Sequence, residues 1–254
     1  MTRLDMTTRE WHQLIKAVLP HASTDKDTPT LGAVRLEVGD TALYAVATDR
    51  YTLAAERWPL PAADQFRPAR AVHLDAKELA ASLKLFTFSN DEDPLLTVVI
   101  DEAPIPVAIV GQTQTLMHLA VTVQQVGEGT RLVMHDERDP SRDALAGWRK
   151  TLHQAVTRAR GRDLDGMDLH PKMLARWAAA VRKGERLTVY SGPKANDPLL
   201  VTVEQHFAGL WVTSQYLEGP GKARSALPWQ AELAATLLDL ETGEFEAAKA
   251  GELS

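Results

Sequence analysis

The chain contains no cysteine among its 254 residues, which excludes disulfides, thiolate metal ligands and cysteine nucleophiles. No apolar run approaches the 18 residues that a membrane-spanning helix needs. The first six residues lack the apolar core of a signal peptide. The last two absences predict a cytoplasmic protein with no membrane partner.

Sequence motifs for catalysis are also missing. The chain has no phosphate-binding glycine loop, its serines lack the setting of a nucleophile elbow, and its histidines show no ligand pair at i, i+4. The segment His135–Asp139 could suggest a metal-dependent hydrolase, but adjacent residues do not converge on one ion without a second cluster. We therefore interpret it as a solvated loop and predict a protein with no enzymatic activity, no metal and no cofactor.

Charge is distributed unevenly along this acidic chain, whose formal net charge is -6. From Arg142 to Arg186 there are eleven Lys and Arg against five Asp and Glu, so this stretch carries +6 and the remainder carries -12. Such segregation indicates a local surface that attracts a polyanion, although the whole chain does not.

The first half reads as one unit of strand, helix and three strands that occurs twice. Helix-spaced apolar residues mark the first helix at Trp11, Leu14, Ile15 and Val18, and the second at Leu79, Ser82, Leu83 and Phe86. Val-rich and Thr-rich runs predict strands at 33–38, 42–48 and 51–58 after the first helix, and at 95–100, 106–110 and 116–121 after the second.

The second half repeats part of this pattern in a shorter form. Two helices are predicted, the first from the apolar series Leu145, Trp148, Leu152, Ala155 and Ala159, the second from Leu174, Trp177, Ala178 and Val181. Strands follow at 186–190, 199–204 and 210–215, and the words Asp93-Pro94-Leu95-Leu96 return as Asp197-Pro198-Leu199-Leu200. We predict a domain over 1–126, a shortened domain over 127–217, and a linker, possible helix and acidic tail over 218–254.

Basic residues lie away from the apolar stripe on each of the four helices. They are Arg9, Lys16, Lys77, Lys84, Arg149, Lys150, Arg158, Lys172, Arg176 and Lys183. One interpretation is that all four helices share a positive surface that contacts the backbone of double-stranded DNA regardless of sequence. The alternative is that these are ordinary solvated helix faces. Because no aromatic residues interleave with the basic ones, stacking on single strands is disfavoured.

The segment Ala47-Thr48-Asp49-Arg50-Tyr51-Thr52-Leu53-Ala54 resembles the bacterial DNA polymerase III beta sliding clamp, and most closely its middle domain. Residues 142–216 look like the clamp's C-terminal domain. The resemblance implies an α+β, DNA-clamp-like fold of repeated strand-helix-three-strand units with a shortened second domain. It also implies a non-enzymatic processivity factor or DNA tether, and a homotrimer if a six-domain ring closes.

The resemblance further implies a pocket for peptides of DNA polymerase or other clamp partners. Its residues would be Thr48, Tyr51, Leu53, Leu210 and Val212. Two positions depart from the family pattern, because Arg50 replaces the usual glycine and Thr52 the usual arginine. Two alternatives therefore stay open: Tyr51 and Leu53 are strand core, or the chain is a degenerate clamp relative that acts as a protein-interaction or regulatory module without encircling DNA.

Overall fold

The computed structural model describes residues 1–39, 41–61, 70–109, 112–136, 143–159, 171–192 and 197–212, with the side chains of 104–117 left aside. All of these lie within one compact unit, residues 1–214. No helix within these ranges is long and apolar enough to cross a membrane.

The predicted α+β fold with repeated units is confirmed. The first unit consists of β1 (Thr2–Thr7), α1 (Thr8–Val18), β2 (Ala33–Val38), β3 (Ala42–Thr48) and β4 (Thr52–Pro59). The second consists of β5 (Arg70–Asp75), α2 (Ala76–Leu85), β6 (Leu95–Ile109), β7 (Gln112–Gln125) and β8 (Arg131–His135). Side-chain caps start both helices: Thr7 and Glu10 form a capping box at α1, and Asp75 accepts a hydrogen bond from the backbone N–H of Lys77 at α2.

The two units exchange their first strands. One antiparallel sheet has the order β1-β6-β7-β8, and the other begins β5-β2-β3-β4. Strand β1 of the first unit therefore pairs with the second unit, and β5 does the reverse. Neither unit can form its sheet alone, so the repeat folds as an interlocked pair.

The second half adds α3 (Trp148–Arg158), α4 (Pro171–Ala178), β9 (Leu187–Tyr190), β10 (Leu199–Val203) and β11 (Phe207–Trp211). Strand β11 pairs with β4, which extends the second sheet to seven strands in the order β5-β2-β3-β4-β11-β10-β9. The shortened half is thus joined to the first by backbone hydrogen bonds as well as by side chains.

Several predicted strand limits are wrong. The strands expected at 106–110 and 116–121 are parts of the long β6 and β7, and the third strand of this unit is β8. Pro104 and Pro106 lie within β6 without breaking it. They fall beyond Ile100, where the pairing with β1 ends and one side of β6 carries no strand in the described sheet. The predicted strand 210–215 overlaps β11, which runs from Phe207 to Trp211, and residues 213–215 lie outside the described part of the chain.

The repeated sequence Asp-Pro-Leu-Leu does precede a strand in both places, and these strands begin at Leu95 and at Leu199. However, β6 is the first strand after its helix, whereas β10 is the second strand after α4. The words are therefore not equivalent positions of the repeat. The predicted domain limits remain predictions, although β8, which the sequence placed after the boundary at 127, pairs with β7 of the first unit.

Candidate nucleic-acid interface

Helices α1 and α2 lie side by side. The indole Nε1 of Trp11 donates to Ser82 Oγ at 3.1 Å, and His12 Nε2 lies 2.6 Å from the carbonyl oxygen of Phe86. Both helices bury apolar residues in the main core together with the inward residues of both sheets. The predicted apolar stripes of α1 and α2 are confirmed.

Helix α4 joins this layer beside the end of α1. Its Trp177 is 1% exposed and its ring centroid lies 4.3 Å from that of His21, which follows α1. The indole covers Gly209 of β11, where a Cβ would come within 2.4 Å of the ring, so only glycine lets the helix approach this closely. The predicted stripe of α4 is confirmed for Trp177 and Val181, which face the core. It is wrong for Leu174 and Ala178, which are exposed, whereas Met173 and Ala180 face the core instead.

Helix α3 lies on the opposite face of the seven-stranded sheet. Leu145, just before it, and Trp148 pack against Val46 and Ala55 in a separate small core. Because neighbouring residues of a strand point to opposite faces, this is the face away from Ala45 and Ala54, which lie in the main core with α1. The expectation that all four helices share one surface is therefore wrong for α3 and its residues Arg149, Lys150 and Arg158.

The basic residues proposed from the sequence also differ in availability. Lys16, Lys77 and Lys84 are exposed on α1 and α2, and none has an acidic partner recorded within the described ranges. Lys172 and Lys183 are exposed at α4 and in the turn after it. Lys150 and Arg158 are exposed on α3.

Three of the predicted arginines are held by carboxylates instead. Arg9 pairs with Asp93 at 3.3 Å, Arg176 pairs with Asp49, and Arg149 pairs with Glu37 at 2.6 Å. Burial raises the pKa of Asp49, but hydrogen bonds from Arg176 and Thr52 outweigh it and leave the pKa below its usual value. Arg149 also stacks over Tyr44 with its Cζ atom 4.3 Å from the ring centroid. Each of these arginines first serves to hold a helix or its end to the rest of the fold.

The five residues of the predicted peptide pocket come together at the junction of β4 and β11. Thr48, Leu53 and Leu210 are direct cross-strand neighbours on β3, β4 and β11. Beside them the backbone N–H of Val212 donates to the carbonyl of Tyr51, and these two side chains are 43% and 59% exposed. The row lies on the α3 face of the sheet, where Leu53 packs against the same small core as Leu152. The alternative that Tyr51 and Leu53 are strand core is wrong for Tyr51, which is exposed, whereas Leu53 does pack against the small core.

Arg50 occupies the position where the clamp pattern has glycine, and its backbone shows why. Its φ is 79°, in the left-handed region that glycine adopts without a steric penalty. Asp49 compensates, because its Oδ1 accepts hydrogen bonds from the backbone N–H groups of Tyr51 and Thr52 and from the Thr52 hydroxyl.

Replacing Arg50 by glycine is expected to stabilise the protein by about 0.5–1 kcal/mol, because the relieved strain exceeds the entropy cost of glycine. Chemical denaturation measures the change. Arg57, on the regular strand β4, is the control, since its φ is not positive and Arg57→Gly is expected to lower stability. A lower denaturation midpoint for both variants would contradict the strain at Arg50.

A buried polar cluster, which we call the Glu56 clasp, joins the two halves and was not predicted from the sequence. It consists of Glu56 on β4, Arg182 and Glu185 after α4, and His206 before β11. Arg182 donates to Glu56 at 2.6 Å, and His206 lies between Glu56 at 3.0 Å and Glu185 at 3.1 Å. Arg182 and His206 follow Glu56 by 126 and 150 positions in the sequence. The pairing of β4 with β11 brings them together.

Burial raises the pKa of Glu56, and its interactions with His206 and Arg182 only partly offset this. The hydrogen bond to Glu56 raises the pKa of His206 despite desolvation. The clasp therefore favours a protonated His206 between two carboxylates. Among the residues that the structure describes, no group of three or more His, Asp or Glu is arranged to hold a metal ion.

The fold can be compared with solved structures at this point. The DNA polymerase sliding clamp from Bacillus subtilis aligns with a TM-score of 0.57 at 16% identity, over 83% of this chain and 63% of that one. The DNA polymerase III beta subunits from Thermotoga maritima and Pseudomonas aeruginosa both align with a TM-score of 0.54, at 12% and 14% identity. This chain has the fold of the bacterial sliding clamps.

The likeness to the sliding clamps is one of structure. No protein-family model matches the chain, and no curated protein matches its sequence. The chain spans 65% and 66% of the Thermotoga and Pseudomonas clamps, with 84% of its own length aligned in both cases. These alignments agree with the clamp-like fold that the Ala47-Thr48-Asp49 segment implied. The DNA-contacting and peptide sites are proposals that rest on the chain's own residues.

Proposed function

We propose that the chain is a clamp-like, non-enzymatic protein that contacts double-stranded DNA through the layer of α1, α2 and α4. The observation that carries this proposal is the exposure of three lysines on the two neighbouring helices, Lys16 on α1 and Lys77 and Lys84 on α2. Flexible ammonium groups without recorded partners suit phosphates at variable positions. The proposed task is polymerase processivity or a related DNA-tethering role in the cytoplasm.

This proposal narrows the DNA-contacting set that the sequence suggested. Lys172 and Lys183 belong to the same layer through α4, whereas Arg9 and Arg176 reach it only if they leave Asp93 and Asp49. Arg149, Lys150 and Arg158 are removed because α3 lies across the sheet.

Changing Lys16, Lys77 and Lys84 together to alanine is expected to weaken binding to duplex DNA. The plot of log affinity against log salt should also become shallower by about 2.7, because each phosphate contact contributes about 0.9. Fluorescence anisotropy with duplexes of unrelated sequence measures both quantities.

The matched control changes Lys150 and Arg158 to alanine, which removes exposed positive charge from the other side of the sheet. It should leave the affinity and the salt slope nearly unchanged. Equal losses for both variants, or none for either, would argue against the helix layer as the DNA-contacting surface.

The second candidate function is a protein-interaction module that does not encircle DNA. The observation that favours it is the row of pocket residues at the β4–β11 junction with Tyr51 and Val212 exposed, which suits an apolar partner peptide such as one from a DNA polymerase. Retention on nicked circular DNA separates the two candidates, since a module of this kind dissociates from circular DNA as easily as from linear DNA.

A further inference from the structure

Helix α3 is held to the protein mainly through its first turn. Of its eleven residues only Trp148 is buried, whereas α1, which is also eleven residues long, buries seven. No side chain caps its N-terminus at Gly147, and Val156 near its other end is 50% exposed. A helix of this length is only marginally stable by itself, and segments with few buried apolar contacts are those that detach most easily from a fold.

The first turn of α3 lies on an apolar strip of the seven-stranded sheet. Val46 and Ala55, which are cross-strand neighbours on β3 and β4, form the small core with Leu145 and Trp148. Leu53 packs against the same core and lies two positions before Ala55, on the same face of β4. Because Leu53 also belongs to the predicted peptide pocket, the strip under α3 continues into that pocket.

Glu37 of β2, beside this strip, binds two neighbouring residues of the helix at once. Its Oε2 accepts a hydrogen bond from the indole Nε1 of Trp148 at 3.0 Å, and its Oε1 accepts one from Arg149 Nε at 2.6 Å. Burial raises the pKa of Glu37, but hydrogen bonds from Trp148, Arg149 and Arg35 outweigh it and leave the pKa below its usual value. The charged carboxylate therefore suits an indole that is followed directly by an arginine.

We propose that this part of the sheet is a docking surface for an amphipathic helix of a partner protein, and that α3 occupies it until such a helix displaces it. We call it the α3-binding surface, and it consists of Glu37, Val46, Leu53 and Ala55. The partner helix carries a large aromatic residue followed by an arginine, as α3 does at Trp148 and Arg149. A second apolar residue lies four positions after the aromatic one, as Leu152 does, so that both contact the sheet.

The proposal goes beyond the contact with duplex DNA and is independent of it, because α3 lies across the sheet from α1, α2 and α4. It also does not depend on whether the chain encircles DNA, since a docking surface serves a ring and a separate module alike. Trp148→Ala should therefore leave the affinity for duplex DNA unchanged, and either proposal can fail without the other.

The absence of cysteine lets single thiols report on the detachment of α3 in the full chain. Ala55→Cys places a thiol under α3, whereas Ala54→Cys, the matched control, places one in the main core. The two alanines are 5% and 0% exposed. Iodoacetamide should modify Ala55→Cys at least about tenfold faster, because α3 opens locally whereas the main core opens only with the whole fold. Adding Arg149→Ala should increase the rate for Ala55→Cys and leave that for Ala54→Cys unchanged.

A fluorescent peptide that copies residues 143–159 tests the docking itself. By anisotropy it should bind the Trp148→Ala variant of the full chain, or Arg149→Ala if that variant does not fold, more tightly than the unchanged chain, in which α3 competes. The bound peptide should also slow the modification of Ala55→Cys in the same variant. A peptide with alanine in place of Trp148 should bind at least about tenfold more weakly.

Three results would each overturn the proposal. Equal modification rates for Ala55→Cys and Ala54→Cys would show that α3 does not detach by itself. A peptide that binds neither variant would show that the surface does not accept a helix from outside the chain. Binding that is equally tight without the tryptophan would show that the peptide does not use the α3-binding surface.

Discussion

Replacing Trp177 by alanine is expected to lower the free energy of unfolding by about 3–5 kcal/mol, the range for a buried indole. The side chain is 1% exposed and contacts three aromatic rings, those of His21, Phe207 and Trp211, at centroid distances of 4.3 to 6.3 Å. The indole therefore links α4 to β11 and to the end of α1.

The destabilisation should be concentrated in the second half. Trp177 lies over Gly209, so its removal leaves a cavity between α4 and β11. Strand β11 pairs with β10, which in turn pairs with β9. Hydrogen exchange is therefore expected to speed up first at the amides of β10 and β11, while β6 and β7, which lie in the other sheet, keep their protection.

Trp177→Phe is the control that separates volume from specific contacts. It keeps a ring against His21 and removes the indole N–H, for which no hydrogen-bond partner is recorded, so it should cost much less than alanine. An alanine variant that is as stable as the phenylalanine variant would show that the indole does not hold α4 on the sheet.

The elements that the sequence predicted well are those whose signal is local. Helix α1 follows directly from the spacing of Trp11, Leu14, Ile15 and Val18 and from the Thr7 cap. In the same way, the strand-helix-three-strand unit follows from apolar residues that are spaced as in strands in some segments and as in helices in others. Both patterns involve only residues that are close in sequence.

Errors arose where distant residues decide the outcome. The inward face of α4 could be set only in part from its sequence, because Leu174 and Met173 are equally apolar and packing against the main core selects Met173. Likewise, the face on which α3 packs depends on Val46 and Ala55, about 100 residues earlier in the chain, and no local pattern encodes it.

The candidate site divides in the same way. Exposure of Lys16, Lys77 and Lys84 could be predicted from the helical wheel, because exposure follows from distance to the apolar stripe. The ion pairs that hold Arg9, Arg149 and Arg176 could not, since their carboxylates lie 84, 112 and 127 positions away.

Glu56→Ala is expected to destabilise the protein by about 2–4 kcal/mol, because it removes one partner of a buried ion cluster. The value lies below that of a fully buried pair, since Arg182 keeps 35% of its side chain exposed and recovers hydration when its partner is lost. His206 loses the shorter of its two carboxylate contacts and keeps Glu185.

The cost of Glu56→Ala should depend on pH with a definite sign. The folded protein holds the pKa of His206 above its usual value of 6.5, so the folded state binds this proton more tightly than the unfolded chain. That contribution is fully present below pH 6.5 and is lost as the pH rises through the folded pKa, with a slope of at most about 1.4 kcal/mol per pH unit. The variant should therefore lose more stability near pH 6 than near pH 8.

His12 and His21 give the stability a pH dependence of the opposite sign, which must be distinguished from that of the Glu56 clasp. Burial lowers the pKa of His21 to about 4 and also lowers that of His12, so their contribution is present above pH 6.5 and is lost as the pH falls. Because these two residues remain in the variant, the difference in unfolding free energy between Glu56→Ala and the unchanged protein cancels their effect. Denaturant unfolding at matched pH values between 6 and 8 gives this difference directly. A difference that stays constant across the interval, or grows toward pH 8, would show that His206 is not charged against Glu56.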